Sequence, residues 1–160
     1  MGVTLIRKAE VDDCDLILNF IQQLGEYEKL SHEVVATIEQ LHQTLFVDKP
    51  YAEVVIAEYD NQPVGFALYF YNYSTFLGKP GLYLEDLFVN PDMRGKKIGK
   101  SLLVHLAKKA VERGCGRFEW SVLDWNKPAI DFYRSIGAVA MDGWIGQRVD
   151  GDDLVNLSRL

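Results

Sequence analysis

Cysteine, histidine and positive charge are all in short supply in this chain, and each shortage excludes something. Cys14 and Cys115 form no CxxC pair and supply no disulfide framework, so a small scaffold held by bridges is excluded. Both lie in apolar stretches, the usual setting of buried thiols. His32, His42 and His105 have no metal-ligand spacing with one another or with cysteine, and no metal is expected. Lys and Arg number 17 against 23 Asp and Glu, a net charge of -6. Such a balance disfavours nonspecific nucleic-acid binding, which rests on neutralising phosphates, and favours the approach of cations. There is no run of roughly 18 apolar residues to span a bilayer. The start, Met1-Gly2-Val3-Thr4, lacks the charged-then-apolar form of a signal peptide, and Ile6 stands where a myristoylation signal wants Ser or Thr. The expectation is a soluble cytoplasmic protein with neither nucleic-acid nor membrane partners.

What is present suits one globular domain over residues 1–160, with 48% hydrophobic and 25% charged residues and no repeat or linker. Val3 to Arg7 reads as a strand. Asp12 and Asp13 can cap a helix whose stripe is Leu16, Phe20 and Leu24, widened by Ile17 and Ile21. Thr37 and Gln40 form a capping-box pattern for a second helix to about Phe46. Tyr51–Tyr59 and Val64–Tyr71 flank the turn residues Asp60-Asn61-Gln62-Pro63 and predict a hairpin. Residues 72–81 read as a loop and Leu82–Val89 as a strand. An amphipathic helix follows through Ile98, Leu102, Leu103, Leu106 and Ala110, stopped at Gly114. Phe118–Leu123 predicts a strand, and Asp124 to Pro128 opens a helix that ends at Gly137. Val139–Met141 and Ile145–Val149 are weaker strands. The tail after Asp150 is ambiguous. The order β-α-α-β-β-β-α-β-α-β-β predicts an α/β fold, a mixed sheet packed by helices.

The most informative stretch runs from Leu84 to Lys100. A strand feeds a short basic loop with Gly95 and Gly99, and the loop opens a helix. Unpaired N–H groups at a helix start, close backbone approach at glycine, and the charges of Arg94, Lys96, Lys97 and Lys100 together suit a pyrophosphate. A Walker A loop fails, because Arg94 occupies its first glycine position, and a G-x-G-x-x-G fingerprint is absent. Arg94-Gly95-Lys96-Lys97-Ile98-Gly99 instead resembles the R-x-x-G/A-x-G/A phosphate loop of the Gcn5-related N-acetyltransferase (GNAT) superfamily, with Lys97 where glycine is usual. About thirty residues on, Asn126, Ala129, Phe132, Tyr133 and Gly137 match that superfamily's N-x-x-A-x-x-F-Y-x-x-x-G. Ala129 and Tyr133 share a helical face. The chain is similar within the superfamily to the spermidine/spermine and thialysine N-acetyltransferase group, through Tyr83–Val89, Asp124-Trp125-Asn126, Gly143-Trp144 and Tyr27-Glu28.

The resemblance implies a GNAT fold: a mixed sheet of about seven strands with the fourth and fifth splayed, flanked by about four helices. It implies acetyl-CoA as cosubstrate, a small cationic amine as acceptor, direct attack in a ternary complex, and a homodimer. The backbone of Leu87, Phe88 and Val89 would bind the pantetheine and polarise the thioester carbonyl. The loop from Gly95 through Lys96, Lys97, Ile98 and Gly99 to Lys100, just after Arg94, would hold the pyrophosphate. Asn126 and Ala129 would line the cofactor channel, and Tyr133 would protonate the leaving thiolate.

An alkylammonium with a pKa near 10.4 costs roughly 4 to 5 kcal/mol to deprotonate at pH 7. Glu85 and Asp86 are the candidates to take that proton. On a regular strand they point to opposite faces, so only one should face the substrate. The resemblance favours Glu85, acting through water. Tyr27 and Glu28 would add a cation-binding wall, a ring face beside a carboxylate. Asp142 and Trp144 would border the same pocket. Two alternatives stay open: a protein or peptide acetyltransferase acting on lysine or N-terminal amines, and a CoA-binding module without catalysis.

Overall fold

A computed structural model describes residues 2–160, which fall into two compact units, one ending at Ser121 and the other running from Val122 to Leu160. In the first unit, strands β1 (Thr4–Lys8), β2 (Glu53–Tyr59), β3 (Gln62–Ser74), β4 (Lys79–Val89) and β5 (Arg117–Trp120) form one sheet in that order. Pairs β1 to β4 are antiparallel, and β4–β5 is parallel. Helices α1 (Cys14–Tyr27), α2 (Ile38–Leu45) and α3 (Ile98–Glu112) pack on it. The α/β class with a mixed sheet is the one the sequence predicts; the fourth and fifth strands, expected to splay, pair in parallel from Gly81↔Arg117 to Leu84↔Trp120.

Local chemistry explains the element ends. Asp60 and Asn61 take φ of 50° and 66°, the left-handed pair of a two-residue hairpin turn between β2 and β3. At α2, the Gln40 N–H donates to the Thr37 hydroxyl (3.2 Å), and the Thr37 N–H donates to the Gln40 side-chain oxygen (2.9 Å), closing the expected capping box. At the end of α3, the Cys115 N–H donates to the Ala110 carbonyl and the Gly114 N–H to that of Val111, with Gly114 at φ 73°. Asp13 does not cap α1 through its side chain. Its carboxylate takes two bonds from the Arg7 guanidinium, whose third nitrogen reaches Glu58, tying β1 to β2 and to the turn before α1.

The core between α1, α2 and the sheet holds Cys14, Ile17, Phe20, Leu41, Val54, Ile56, Phe66 and Phe88. Phe20 stacks on Phe66 at 5.5 Å and tilts against Phe88 at 6.1 Å. The buried stripe of α1 centres on Ile17 and Phe20, while Leu16, Ile21 and Leu24 are half-buried. Cys14 is buried as expected, but Cys115 is only half-buried.

Three expectations need correction. First, residues 72–81 are mostly sheet: Asn72, Tyr73 and Ser74 pair with Gly81, Pro80 and Lys79. Gly81 permits this, because a Cβ there would collide with the Asn72 side chain and crowd Arg117. Second, β5 stops at Trp120 instead of continuing to Leu123. Third, the described residues hold five strands and not about seven. Val139–Met141 and Ile145–Val149 form none; they are short runs broken by a turn, the Trp144 N–H donating to Met141, and by Gly143 and Gly146.

The second unit is helical, with α4 (Lys127–Ser135) and α5 (Gly151–Leu157), so the tail after Asp150 is a helix and the described residues contain five α-helices. Lys127 and Asp131 pair at 3.0 Å one turn apart. At the end of α4, the Ala138 N–H donates to the Tyr133 carbonyl and the Gly137 N–H to that of Arg134, with Gly137 at φ 97°. That glycine-dependent stop is where the sequence puts it.

Candidate active site

Strand β4 carries the site. Its register against β3 runs Phe66↔Phe88, Ala67↔Leu87 and Leu68↔Asp86, then slips, with Tyr69 opposite Leu84. Glu85 is therefore the extra residue of a β-bulge, and the slip reverses the strand's facing. Beyond it, Phe88 meets Phe20 of α1, while Leu87 and Val89 lie 3.9 Å from where a Cβ on Gly99 of α3 would stand. Before it, Leu82 and Leu84 pair with Tyr71 and Tyr69. The Tyr71 hydroxyl receives a hydrogen bond from Arg113 at the end of α3. Alternation that would separate Glu85 from Asp86 is broken at that point, and both carboxylates line one cleft on the α1 side.

This cleft has a volume of about 550 Å³ and is lined by two kinds of residue. Ile21, Leu24 and Gly25 of α1 with Leu30, Val34, Val35 and Ala36 are the apolar ones; Glu28, Glu33, Glu85 and Asp86 are the acidic ones, with Gln40 of α2 as a neutral polar contributor. No Lys, Arg or His is among the lining residues. Burial, then the charges of Glu85 and Glu28, push the Asp86 carboxyl up to about 6, and burial raises that of Glu28. A concave site lined by apolar and anionic groups fits a cation with a short hydrocarbon body. Tyr27 ends α1 beside Glu28, and the Arg94 guanidinium lies over its ring at 5.2 Å.

The β4–β5 ladder runs from Gly81↔Arg117 to Leu84↔Trp120 and ends there. Glu85 to Val89 thus has a strand partner on the β3 side only. That leaves a stretch of backbone edge, at Leu87, Phe88 and Val89, able to bind an extended amide-containing chain as an added strand would. At the far end of this edge, a short 3₁₀ turn (Pro91–Met93) leads into the basic loop. Gly95 has φ 82° with open space where a Cβ would stand. Lys97, directly before α3, has φ 63° and ψ 24°. The side chains from Arg94 to Lys97 are exposed, and the Lys96 ammonium lies over the Tyr59 ring at 5.1 Å. Ile98 is buried and anchors the first turn, so the N–H groups at the start of α3, through Lys100, are held in place. These features fit a diphosphate joined to an amide-bearing arm. Among the described residues no group of His, Cys, Asp and Glu could hold a metal ion.

In the second unit, Asn126 stands at the cap position of α4 but makes no side-chain cap bond. Its carbonyl accepts from the Ile130 N–H. Ala129 and Tyr133 lie one turn apart on α4, and the Phe132 and Tyr133 rings are 6.0 Å apart. Asp142 and Trp144 belong to the turn after α4.

The structure therefore brings Glu28, Glu85 and Asp86 together, and sets Leu87–Val89 and the basic loop along one strand and its following helix. Sequence reading missed the cleft's apolar lining residues. Val34-Val35-Ala36 was open to detection as an apolar run followed directly by a capping box, a segment held at both ends with no periodicity of its own.

Residues 18–138 match the family described as "Acetyltransferase (GNAT) family". The thialysine N-epsilon-acetyltransferase of Sus scrofa is 38% identical over 99% of each chain. The L-ornithine N5-acetyltransferase NATA1 of Arabidopsis thaliana is 32% identical over 97% of this chain and 88% of its own length. Among solved structures, an integron cassette protein of V. cholerae superposes with a TM-score of 0.82 at 27% identity over 98% of both chains. With the match spanning most of the residues and the relative aligned end to end, this chain belongs to the acetyltransferase (GNAT) family and is an N-acetyltransferase by class.

Proposed function

We propose that the chain acts as a single domain that acetylates a primary amine of a small cationic molecule: a diamine, a polyamine, thialysine or a lysine-like compound. The observation that carries this reading is the continuity of β4, where an acidic and apolar cleft, a one-sided backbone edge and a basic helix start follow one another. Acetyl-CoA supplies the acetyl thioester. Leu87, Phe88 and Val89 would hold its pantetheine by backbone bonds and polarise the carbonyl. Gly95, Lys96, Lys97, Ile98, Gly99 and Lys100, with Arg94 at their start, would hold the pyrophosphate. Glu28 and the Glu85–Asp86 pair would bind the acceptor ammonium, with Tyr27, Asp142 and Trp144 as further contacts. Asn126 and Ala129 would contact the cofactor, and Tyr133 would donate a proton to the departing sulfur. A phenol near pKa 10 giving a proton to a thiolate near 8.5 is modestly uphill, a gap that positioning can offset. The similarity to a thialysine and an ornithine acetyltransferase supports a diamine-like acceptor. A cytoplasmic homodimer is part of the same reading.

The test is acetyl-CoA-dependent thiol release with a panel of diamines, polyamines, ornithine, lysine and thialysine, alongside lysine peptides. Free amines should be acetylated and peptides should lag. Absence of turnover with every amine, in a folded protein that binds CoA, would defeat the proposal. Tyr133→Phe should lower kcat by roughly 10²-fold or more with little change in CoA affinity; unchanged kcat removes Tyr133 from the acid role.

A further inference from the structure

The bulge in β4 turns two adjacent carboxylates into one cleft but does not make them equivalent. Glu85, the extra residue, is exposed; Asp86 is half-buried, re-enters the ladder opposite Leu68 and directly precedes Leu87, the first of the three edge residues proposed to hold the pantetheine. Leu68 itself packs against the α1 core, so Asp86 faces that side of the sheet, next to the residues of β4 proposed to hold the thioester. Glu28 closes the cleft from α1, Glu33 lines it from the turn after that helix (Ser31–Glu33), and α2 offers only the neutral Gln40. A proton acceptor has to lie at the reacting end and release its proton between turnovers; a charge anchor does better towards the mouth.

We infer that Asp86 takes the proton from the acceptor ammonium, while Glu85 and Glu28 bind its positive charge. This rests on the acetyltransferase reading. One N–H bond of the ammonium breaks and the proton passes to a carboxylate oxygen of Asp86, leaving a neutral amine and a neutral carboxyl. The nitrogen lone pair then forms the bond to the acyl carbon. The electron pair of the broken carbon–sulfur bond stays on sulfur, which takes the proton of the Tyr133 hydroxyl; the second proton lost by the nitrogen restores that hydroxyl, and Asp86 returns its own to water. The surroundings suit the task. Burial, and then the two neighbouring carboxylates, hold Asp86 near 6, so it is ionised at neutral pH yet more basic than an ordinary aspartate. Neutralising the ammonium removes the one charge that would oppose protonation.

The pH dependence of kcat/KM for cadaverine, measured on the whole enzyme, tests this assignment. The wild type should rise through an acid limb near pH 6 and level off. Asp86→Asn should lose roughly 10²-fold at pH 7.5, lose the limb, and climb with pH alongside the fraction of neutral amine. Its deficit should shrink with ethylenediamine, whose second nitrogen is less basic beside the first charge. Glu85→Gln and Glu28→Gln should raise KM, keep the limb and move its midpoint to lower pH, since each removes a negative neighbour of Asp86. CoA binding of each variant controls for folding. A limb retained by Asp86→Asn, or lost in Glu85→Gln, overturns the assignment and leaves the acetyltransferase reading standing. No acetylation of any amine by the wild type overturns both.

Discussion

At the scale of the residue, the departure at Lys97 has a cost that can be measured. The superfamily pattern wants glycine there, and the structure gives the physical reason: the residue adopts φ 63°, a left-handed conformation that costs a side-chain-bearing residue about 1–2 kcal/mol. Lys97→Gly should therefore stabilise the protein by about 1 kcal/mol, less what glycine adds to unfolded-chain entropy, raising Tm in calorimetry. Asp86 gives a second residue-level prediction. Its carboxyl is near 6 in the native state and 3.8 in a free chain, so the native state binds the extra proton between those values. The associated stability is complete below about pH 4 and is lost as the pH rises through 6. Asp86→Asn should then be more stable than wild type by about 1–2 kcal/mol at pH 8, with the difference vanishing at pH 4. Asp13, held below the usual carboxylate range by Arg7, acts in the opposite sense in both proteins and cancels in the comparison.

At the scale of the element, what was legible in the sequence was whatever local chemistry decides. The capping box at Thr37, the Asp60-Asn61 turn and the glycine stops at Gly114 and Gly137 depend on a few neighbouring residues, and all stand where the sequence puts them. The bulge was not legible, because it is a relation between two strands: Glu85 is the extra residue only with respect to Leu68 and Tyr69. Counting along β4 alone separates Glu85 from Asp86, although the cleft takes both. For the same reason the extension of β3 and β4 into residues 72–81 was hidden, since it depends on Asn72 crossing over Gly81. Close strand approach also governs Gly65. A Cβ there would stand 2.6 Å from the Phe88 carbonyl oxygen and 3.2 Å from the Val89 Cα. Gly65→Ala should cost about 1–3 kcal/mol and, by shifting Phe88 and Val89, weaken CoA binding more than it perturbs the α2 end of the molecule. Denaturant unfolding and CoA titration check the two halves.

At the scale of the whole molecule, charge is distributed to a purpose. The chain carries -6 overall, with carboxylates gathered in the cleft and Arg94, Lys96 and Lys97 in the loop that ends the same strand. The anionic cosubstrate and cationic acceptor proposed above would thus be attracted to different places on one scaffold, and neither to the other's. Because salt shortens the Debye length to about 10 Å at 0.1 M and about 3 Å at 1 M, kcat/KM for a diamine should fall several-fold between those concentrations, while a neutral amine of equal length should be far less affected. Equal salt sensitivity for the two acceptors counts against attraction by the cleft.

The one-residue insertion at Glu85 acts on β4 as a slack loop in a woven row: the weave on either side is regular and only that position stands out. Deleting Glu85 would set Leu84 beside Asp86, opposite Tyr69 and Leu68, and leave the aromatic on Phe20 and the aliphatics on Gly99 where they are. The strand can thus lose its insertion without refolding the core; what goes is one carboxylate and the local bend that turns it into the cleft, so position 85 is open to evolution, or to an engineer seeking new acceptors, by removal as well as by substitution.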